Sequence, residues 1–181
     1  VAYAKANPGK TNYGSLGRGT SQKILAEDLK EARGIDWQEI PYKGGTEGVT
    51  ATMHGHVHGY FETVSLASQH VAQPKLNLVA IAATKRSPYL PNVPTFAEEG
   101  YPGIVDQTWY ALFAPSETPA PIVEKLRAEL AAAARSPEMI AQLKKNSIEP
   151  YEGSLDQFTK DARQTHERFA TAMKKFGIEP Q

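Results

Sequence analysis

The sequence predicts an α/β fold, in which a parallel or mixed sheet with flanking helices is followed by a helical C-terminal part. Strand and helix signals alternate up to about residue 113, as they do in parallel α/β lobes. Beyond that point, Ser, Thr and Pro signals open one helix after another. Glycine-rich turns join strand to helix early in the chain, which is where such lobes collect ligands.

Composition and charge exclude several classes of protein. The 181 residues contain 20 Lys+Arg and 20 Asp+Glu, so the net charge is zero. Nucleic-acid binders and polybasic membrane-surface proteins need an excess of cations, and neither is predicted. The chain has no cysteine, which excludes disulfides, thiolate nucleophiles and cysteine-based zinc sites. No apolar run reaches the length of about 18 residues that a transmembrane helix needs.

The N-terminal half is predicted to alternate between short strands and helices. Residues 1–7 are typical of a helix stopped by Asn7-Pro8-Gly9, and because no N-cap residue precedes it we expect its start to lie before Val1. Apolar spacing then predicts strands at 11–15, 37–42 and 57–61, with helices from Thr20 or Ser21 to about Glu31, at about 47–53 and at 65–72. The unbroken apolar run at 76–83 predicts a buried strand.

The later elements are predicted mainly from capping residues. A capping box at Thr95–Glu98, closed by Gly100, predicts a short helix, and the aromatic run from Gln107 to Phe113 predicts a strand. Three helices are then expected, each opened by Ser or Thr: from Thr118 to about Ala134, from Ser136 to about Lys145, and from Ser154 to Phe176 before Gly177.

The segment Tyr13–Ser21 is the strongest candidate for a binding site. A strand is followed by three glycines and then by hydroxyl residues that open a helix. Glycines let the backbone approach a ligand closely, and a helix start offers unpaired N–H groups and a partial positive charge, which suits an anion. The spacing fits neither a nucleotide P-loop nor a Rossmann turn. The alternatives are a tight turn without a ligand, and an Arg18 side chain that points into solvent.

Two further strand-to-helix junctions are expected at the same sheet edge. The first is Tyr42-Lys43-Gly44-Gly45, where Lys43 either pairs with a carboxylate or is solvated. The second is Glu62-Thr63, where Glu62 either accepts hydrogen bonds from a ligand or is an acid favoured by a helix start.

Neither a metal site nor catalytic machinery is predicted. His54, His56 and His58 alternate, but Gly55 is typical of a helix end, which would leave only two of them on a strand. Surface histidines are therefore favoured over a metal site. No nucleophile elbow, zinc-protease motif or ordered Ser/His/Asp set occurs. The sequence offers binding groups without an activated nucleophile or base, and no cofactor is expected.

The chain resembles the Bug-type (TctC-like) solute-binding proteins of tripartite tricarboxylate transporters through essentially its whole length. The motifs that carry the resemblance occur in order: Ala4–Lys10, Tyr13-Gly14-Ser15, Pro41–Gly45, Lys85–Pro88, Leu90–Thr95, Glu99-Gly100, Trp109–Pro115 and Thr118-Pro119.

The resemblance implies a periplasmic protein with a type II periplasmic-binding-protein fold, whose two lobes trap a small organic carboxylate. The ligand would be a dicarboxylate, an amino acid or an aromatic acid, and membrane transporter subunits would be its partners. Residues 1–107 would form the second lobe. Residues 108–181 would supply the hinge strand and the C-terminal helices of the first lobe, whose N-terminal part has no counterpart here.

The resemblance also implies which residues bind. Ser15, Gly17, Gly19 and Thr20 would hold a ligand carboxylate, with Tyr42–Gly45 bordering the cleft. Four positions depart from the family: Arg18 replaces a small or apolar residue, Glu62 replaces Asp, and His56 and His58 replace a polar residue and Asp. The complete predicted ligand-binding set is Ser15, Leu16, Gly17, Arg18, Gly19, Thr20, Tyr42, Lys43, Gly44, Glu62 and Thr63.

The sequence is also compatible with two other functions. One is an α/β enzyme that uses the glycine turn for an anionic substrate, with Glu62 or His56 as its base. The other is a sensor or interaction module that passes ligand occupancy to a partner protein.

Overall fold

The computed structural model describes residues 1–106, 108–151 and 153–178. Most of the predicted elements are present. In chain order they are α1 (Ala2–Ala6), β1 (Thr11–Ser15), α2 (Ser21–Arg33), β2 (Trp37–Pro41), α3 (Gly45–Met53), β3 (Gly59–Tyr60), α4 (Val64–Ser68), α5 (Ala120–Ala134), α6 (Pro137–Lys145) and α7 (Leu155–Phe176).

The three strands form one parallel sheet in the order β2-β1-β3. Five residues of β1 pair with β2, from Thr11 opposite Trp37 to Ser15 opposite Pro41. Only Tyr13 and Gly14 pair with β3. Because β2 and β3 lie on opposite sides of β1, the chain reverses its winding direction between them. Because the strands are parallel, their carboxyl ends meet at one edge, where the three predicted junctions lie.

The described chain divides into two compact units. The first contains residues 1–106 and 153–178, and the second contains residues 108–151. The resemblance assigned 153–181 to the other lobe, together with 108–152. The structure groups the described part of this segment with the first unit, because the apolar face of α7 packs on α2. The assignment to lobes stays a prediction.

Two apolar clusters hold the first unit together. One is centred on Leu25 and Leu29 of α2, with aromatic side chains packed around it. The other joins Ile24, which is completely buried, to Ala172 of α7 and to Ile178 just beyond it. Neighbouring residues of α2 thus pack in both clusters, and this packing holds α2 in place behind the sheet.

The predicted caps at Ser136 and Ser154 and the predicted stop at Gly177 are present, whereas α5 has Pro119 as its N-cap residue instead of the predicted Thr118. The hydroxyls of Ser136 and Ser154 accept hydrogen bonds from the N–H groups three residues on, at 3.2 and 3.1 Å. Gly34 and Gly177 end α2 and α7 in the left-handed conformation, with φ of 57° and 62°. These two termini are therefore fixed by local sequence.

The two predicted strands at 76–83 and 107–113 are wrong over the described residues. In the first, Val79 is 75% exposed, and the only strand-like pairing with another described residue is a single bridge between Ile81 and Thr95. In the second, Tyr110 and Phe113 are 75% and 73% exposed, and Gln107 lies outside the described residues. Neither run lies beside a partner strand in the described chain, and a strand needs such a partner for its backbone hydrogen bonds.

The capping box at Thr95 is present, but the helix predicted from it is not. The N–H of Thr95 donates to Glu98 Oε2 at 2.7 Å, and the N–H of Glu98 donates to Thr95 Oγ1 at 3.2 Å. These bonds enclose one turn. Gly100 then adopts a φ of +85°, which ends the turn before a helix can propagate.

The ion pair between Arg86 and Glu98 predicts a measurable pH dependence. The Arg86 hydrogen bond and the Thr95 N–H lower the pKa of Glu98 from 4.5 to about 2. Because the folded pKa lies below the unfolded one, the contribution to stability is complete above pH 4.5 and is lost as the pH falls toward 2. Glu98→Gln should lower the melting temperature at neutral pH, and its difference from the parent should shrink on acidification.

The control for this prediction is Glu129→Gln, which removes an exposed carboxylate of α5. It should leave the acid dependence of melting unchanged. A Glu98→Gln protein that melts like its parent at neutral pH would show that this exposed pair contributes no net stability.

Candidate functional site

The loop after β1 adopts a backbone that depends on glycine. Gly17 and Gly19 have φ values of +95° and +77°, which side-chain-bearing residues rarely adopt. A Cβ built on either residue would meet no atom within 4 Å, so the space in front of the loop is open. The loop from Ser15 to Thr20, called here the glycine loop, then leads directly into α2.

Ser15 anchors the base of the glycine loop and is completely buried. Its Oγ donates to Glu39 Oε1 at 2.6 Å and accepts the N–H of Gly17 at 2.9 Å. The other carboxylate oxygen of Glu39 pairs with Lys23 Nζ at 2.6 Å. The Ser15 hydroxyl is therefore engaged inside the protein, and the loop is tied to both β2 and α2.

The rest of the glycine loop faces outward. Leu16 is 42% exposed, and Arg18 is exposed with no ion pair to any described residue. Thr20 is the N-cap residue of α2, but its Oγ1 donates to Gly17 O at 2.8 Å instead of capping the helix. The hydroxyl stabilises the loop and leaves the helix start uncapped.

The backbone N–H groups of residues 18–23 form an array of unused donors. The preceding N–H groups are satisfied, by Gln22 Oε1 for Leu16 and by Ser15 Oγ for Gly17. The next one, at Ile24, makes the first helical bond, to Thr20 O at 3.3 Å. Among the described residues, none accepts a hydrogen bond from the N–H groups between these two points. Such an array, at the positive end of a 13-residue helix, favours an anion.

The second junction lies directly beside the glycine loop. The N–H of Tyr42 donates to Ser15 O at 2.8 Å, so the ends of β2 and β1 stay paired. Lys43 is exposed, and its backbone N–H donates to Glu47 Oε2 at 3.1 Å. Gly44 is the N-cap residue of α3 with extended backbone. The structure thus brings the first two predicted junctions together.

The third junction contains a carboxylate oxygen that lacks a partner. Glu62 Oε1 accepts the N–H of Thr63 at 2.7 Å, and Thr63 Oγ1 accepts the N–H of Leu66 at 3.4 Å. Glu62 Oε2 is buried, and no described residue donates to it. Burial and the nearby Glu62 charge raise the pKa of the Tyr60 phenol. The hydrogen bond from the Thr63 N–H to Oε1 holds the Glu62 side chain at the start of α4.

Sequence reasoning missed the side chains that brace the glycine loop. No motif in the sequence singles out Glu39, Lys23 or Gln22. The structure shows that Gln22 is buried and that it contacts both Leu16 and Phe61. A weak signal existed for Glu39, because it lies near the carboxyl end of a predicted strand.

The three histidines lie on a different part of the fold. His54 ends α3, with Nδ1 2.8 Å from Thr50 O, and its ring stacks on His56 at 5.9 Å. His58 Nδ1 lies 2.7 Å from Asn12 Oδ1, and its ring stacks on Tyr3. Across residues 1–106, 108–151 and 153–178, no cluster of His, Asp or Glu could hold a metal ion.

Two cavities were found away from the glycine loop. One of about 430 Å³ is lined by Thr84, Lys85, Arg86, Thr95, Ala97 and Glu98. The other, of about 290 Å³, lies between Asp28 and the segment from Gly100 to Ile104. Neither contains a residue of the predicted binding set. No helix in the described part of the chain is long and apolar enough to cross a membrane.

The chain belongs to the tripartite tricarboxylate transporter receptor family, called TctC. The model of that family matches residues 1–178. The resemblance noted from the motifs is thereby confirmed. The family consists of receptors, so the enzyme alternative finds no support in it.

Relatives share the sequence and the fold. A Cupriavidus necator protein named "UPF0065 protein in gbd 5'region" is 37% identical over 178 residues, which are 98% of this chain and 54% of that protein. An R. palustris protein whose structure was determined with adipate matches 99% of this chain and 60% of its own at 27% identity, with a TM-score of 0.85. The periplasmic binding protein BugD matches 99% of this chain and 61% of its own at 27% identity, with a TM-score of 0.78.

These matches confirm the predicted α/β fold of periplasmic binding proteins. They also show that the chain spans about half the length of the Cupriavidus necator protein.

Proposed function

We propose that this chain is part of a periplasmic solute-binding protein that captures a small organic carboxylate between two lobes. The protein then delivers the ligand to the membrane subunits of a tripartite transporter. The ligand is a dicarboxylate, an amino acid or an aromatic acid. Capture needs no covalent step, because hydrogen bonding and hinge closure are sufficient.

The observation that carries this proposal is the row of unused N–H groups at residues 18–23. A carboxylate brings two oxygens and a negative charge, and both match uncapped donors at the positive end of α2. The site also lies where the sheet reverses its winding direction, which is the usual binding crevice of an open α/β sheet. The related R. palustris protein, determined with adipate, supports this ligand class.

We assign roles to the predicted residues on this basis. Gly17, Gly19 and Thr20 shape the backbone that holds the carboxylate, and Ser15 holds that backbone in place. Residues 42–44, with Glu62 and Thr63, border the cleft. Residues 1–107 form the second lobe, and residues 108–181 supply the hinge and the helices of the first lobe, with α7 contacting the second through α2.

Gly19→Ala should weaken carboxylate binding by about tenfold or more. The methyl group would stand in the open space before the loop, and the φ of +77° would be strained. Gly34→Ala is the matched control, because it also has positive φ and open space but lies at the other end of α2. Titration calorimetry of the full-length protein with adipate, glutamate and benzoate measures both.

Gly34→Ala should lower stability by about 1 kcal/mol, because Ala is strained in the left-handed conformation, and should leave affinity unchanged. A folded parent protein that binds none of the three acids would contradict the proposed function. Equal affinity losses in the two variants would place the binding site elsewhere.

Arg18→Gln should lower the affinity for adipate more than the affinity for benzoate. Arg18 has no ion pair to any described residue, so it is available to a second carboxylate, which benzoate lacks. Lys10→Gln is the control, because Lys10 is exposed at the amino end of β1, the opposite edge of the sheet. Equal losses for both acids would show that Arg18 acts only through the overall field of the site.

A further inference from the structure

We propose that Gln22 is a positioning residue that fixes the direction of the unused N–H groups in the glycine loop. Its side-chain amide holds the loop against the backbone that follows β3. The inference rests on the proposed function and deepens it, because it names the residue that organises the carboxylate site.

The Gln22 amide makes two hydrogen bonds whose partners lie far apart in sequence. Oε1 accepts the N–H of Leu16 at 2.7 Å, and Nε2 donates to Phe61 O at 2.6 Å. The Leu16 N–H needs an acceptor and the Phe61 carbonyl needs a donor, so only one orientation of the Gln22 amide satisfies both. Glutamate lacks the donor, and methionine lacks both groups. The contact therefore requires the chemistry of glutamine.

Gln22 acts where the sheet itself stops. The β1–β3 ladder ends with Gly14 opposite Tyr60, so the next pair in register would be Ser15 opposite Phe61. That pair is not part of the ladder. At this level the Gln22 amide bridges the two backbones instead. A side chain from α2 therefore replaces backbone pairing between β1 and β3, at the point where ligands bind in such sheets.

The position of Gln22 suits a bracing role better than ligand contact. The residue is 8% exposed, and both polar atoms of its amide are already paired. On the other side of the loop, Ser15 and Glu39 hold the N–H of Gly17. Two successive N–H groups are thus fixed just before the unused array begins. A loop braced in this way binds without first losing conformational freedom.

The test replaces Gln22 by methionine, which has a similar shape and no amide. Gln38→Met is the matched control, because Gln38 is an exposed glutamine on β2. Two quantities are measured in the full-length protein. One is the affinity for the tightest binder among adipate, glutamate and benzoate. The other is the amide resonance and hydrogen exchange rate of Leu16 in the free protein.

We expect Gln22→Met to weaken binding about tenfold, which is the scale of one lost buried hydrogen bond. The Leu16 amide should shift and exchange faster, while Gln38→Met changes neither quantity. Gln22→Glu keeps the acceptor for Leu16 but loses the donor to Phe61. It should therefore retain Leu16 protection, while its negative charge beside the anion site weakens binding of the acids by repulsion. If Gln22→Met does not fold, Gln22→Ala is compared with Gln38→Ala through the same two quantities.

The outcomes separate this inference from the proposed function. A folded Gln22→Met protein with unchanged affinity and an unchanged Leu16 amide would overturn the role of Gln22. If no acid binds the parent but Leu16 is released by Gln22→Met, the proposed ligand class fails and the brace is supported.

Discussion

Replacing Ile24 by alanine should lower the free energy of unfolding by about 2–5 kcal/mol. Ile24 lies on α2 and is completely buried against the C-terminal helix α7, where it packs with Ala172 and Ile178. Truncation removes buried methyl groups and leaves a cavity that two helices cannot easily close. Chemical denaturation measures the loss, and hydrogen exchange in α7 should rise with it.

Ile122→Ala is the control for this substitution. Ile122 lies on α5 and is 51% exposed, so the same chemical change should cost much less. Equal losses for the two variants, or an Ile24→Ala protein whose α7 amides exchange no faster, would contradict the packing of α7 on α2.

Gly48→Ala should destabilise the chain by about 1–3 kcal/mol. Gly48 lies inside α3, where alanine normally gains about 1 kcal/mol over glycine. Here a Cβ would overlap the ring of Tyr60 on β3. Because Gly48, Val49 and Ala51 are buried, α3 cannot readily move away from the sheet. Overlap therefore outweighs helix propensity, and the sign of the usual effect is reversed.

Gly44→Ala is the matched control for this prediction. Gly44 precedes α3 with an extended φ of −162°, and a Cβ there would meet no atom within 4 Å. Its effect on thermal unfolding should be small. A Gly48→Ala protein as stable as its parent would show that α3 and β3 are not in close contact.

Local signals predicted the elements that end in capping residues. The caps at Ser136 and Ser154 and the glycine stop at Gly177 act within a few residues of the chain, so the sequence alone identifies them. The three junctions of the binding set were predicted for a similar reason. Parallel strands bring their carboxyl ends together whatever their side chains.

The wrong strands show what local signals miss. The apolar runs at 76–83 and 108–113 suit buried strands, but a strand also needs a neighbour in register, and sequence pattern does not supply one. The roles of Gln22 and Glu39 were missed because they depend on contacts 39 and 24 residues away. Such pairings are set by the assembled sheet.

The most direct test of a carboxylate site at the glycine loop follows backbone amide resonances of the full-length protein during titration with adipate, glutamate and benzoate. Hydrogen bonding to a carboxylate shifts amide protons downfield. We predict that the bound acid moves the amides of residues 18–23 most, with the Leu16 and Gly17 amides changing little because they are already bonded. Shifts confined to the cavity lined by Lys85 and Arg86, with residues 18–23 unmoved, would contradict a carboxylate site at the glycine loop.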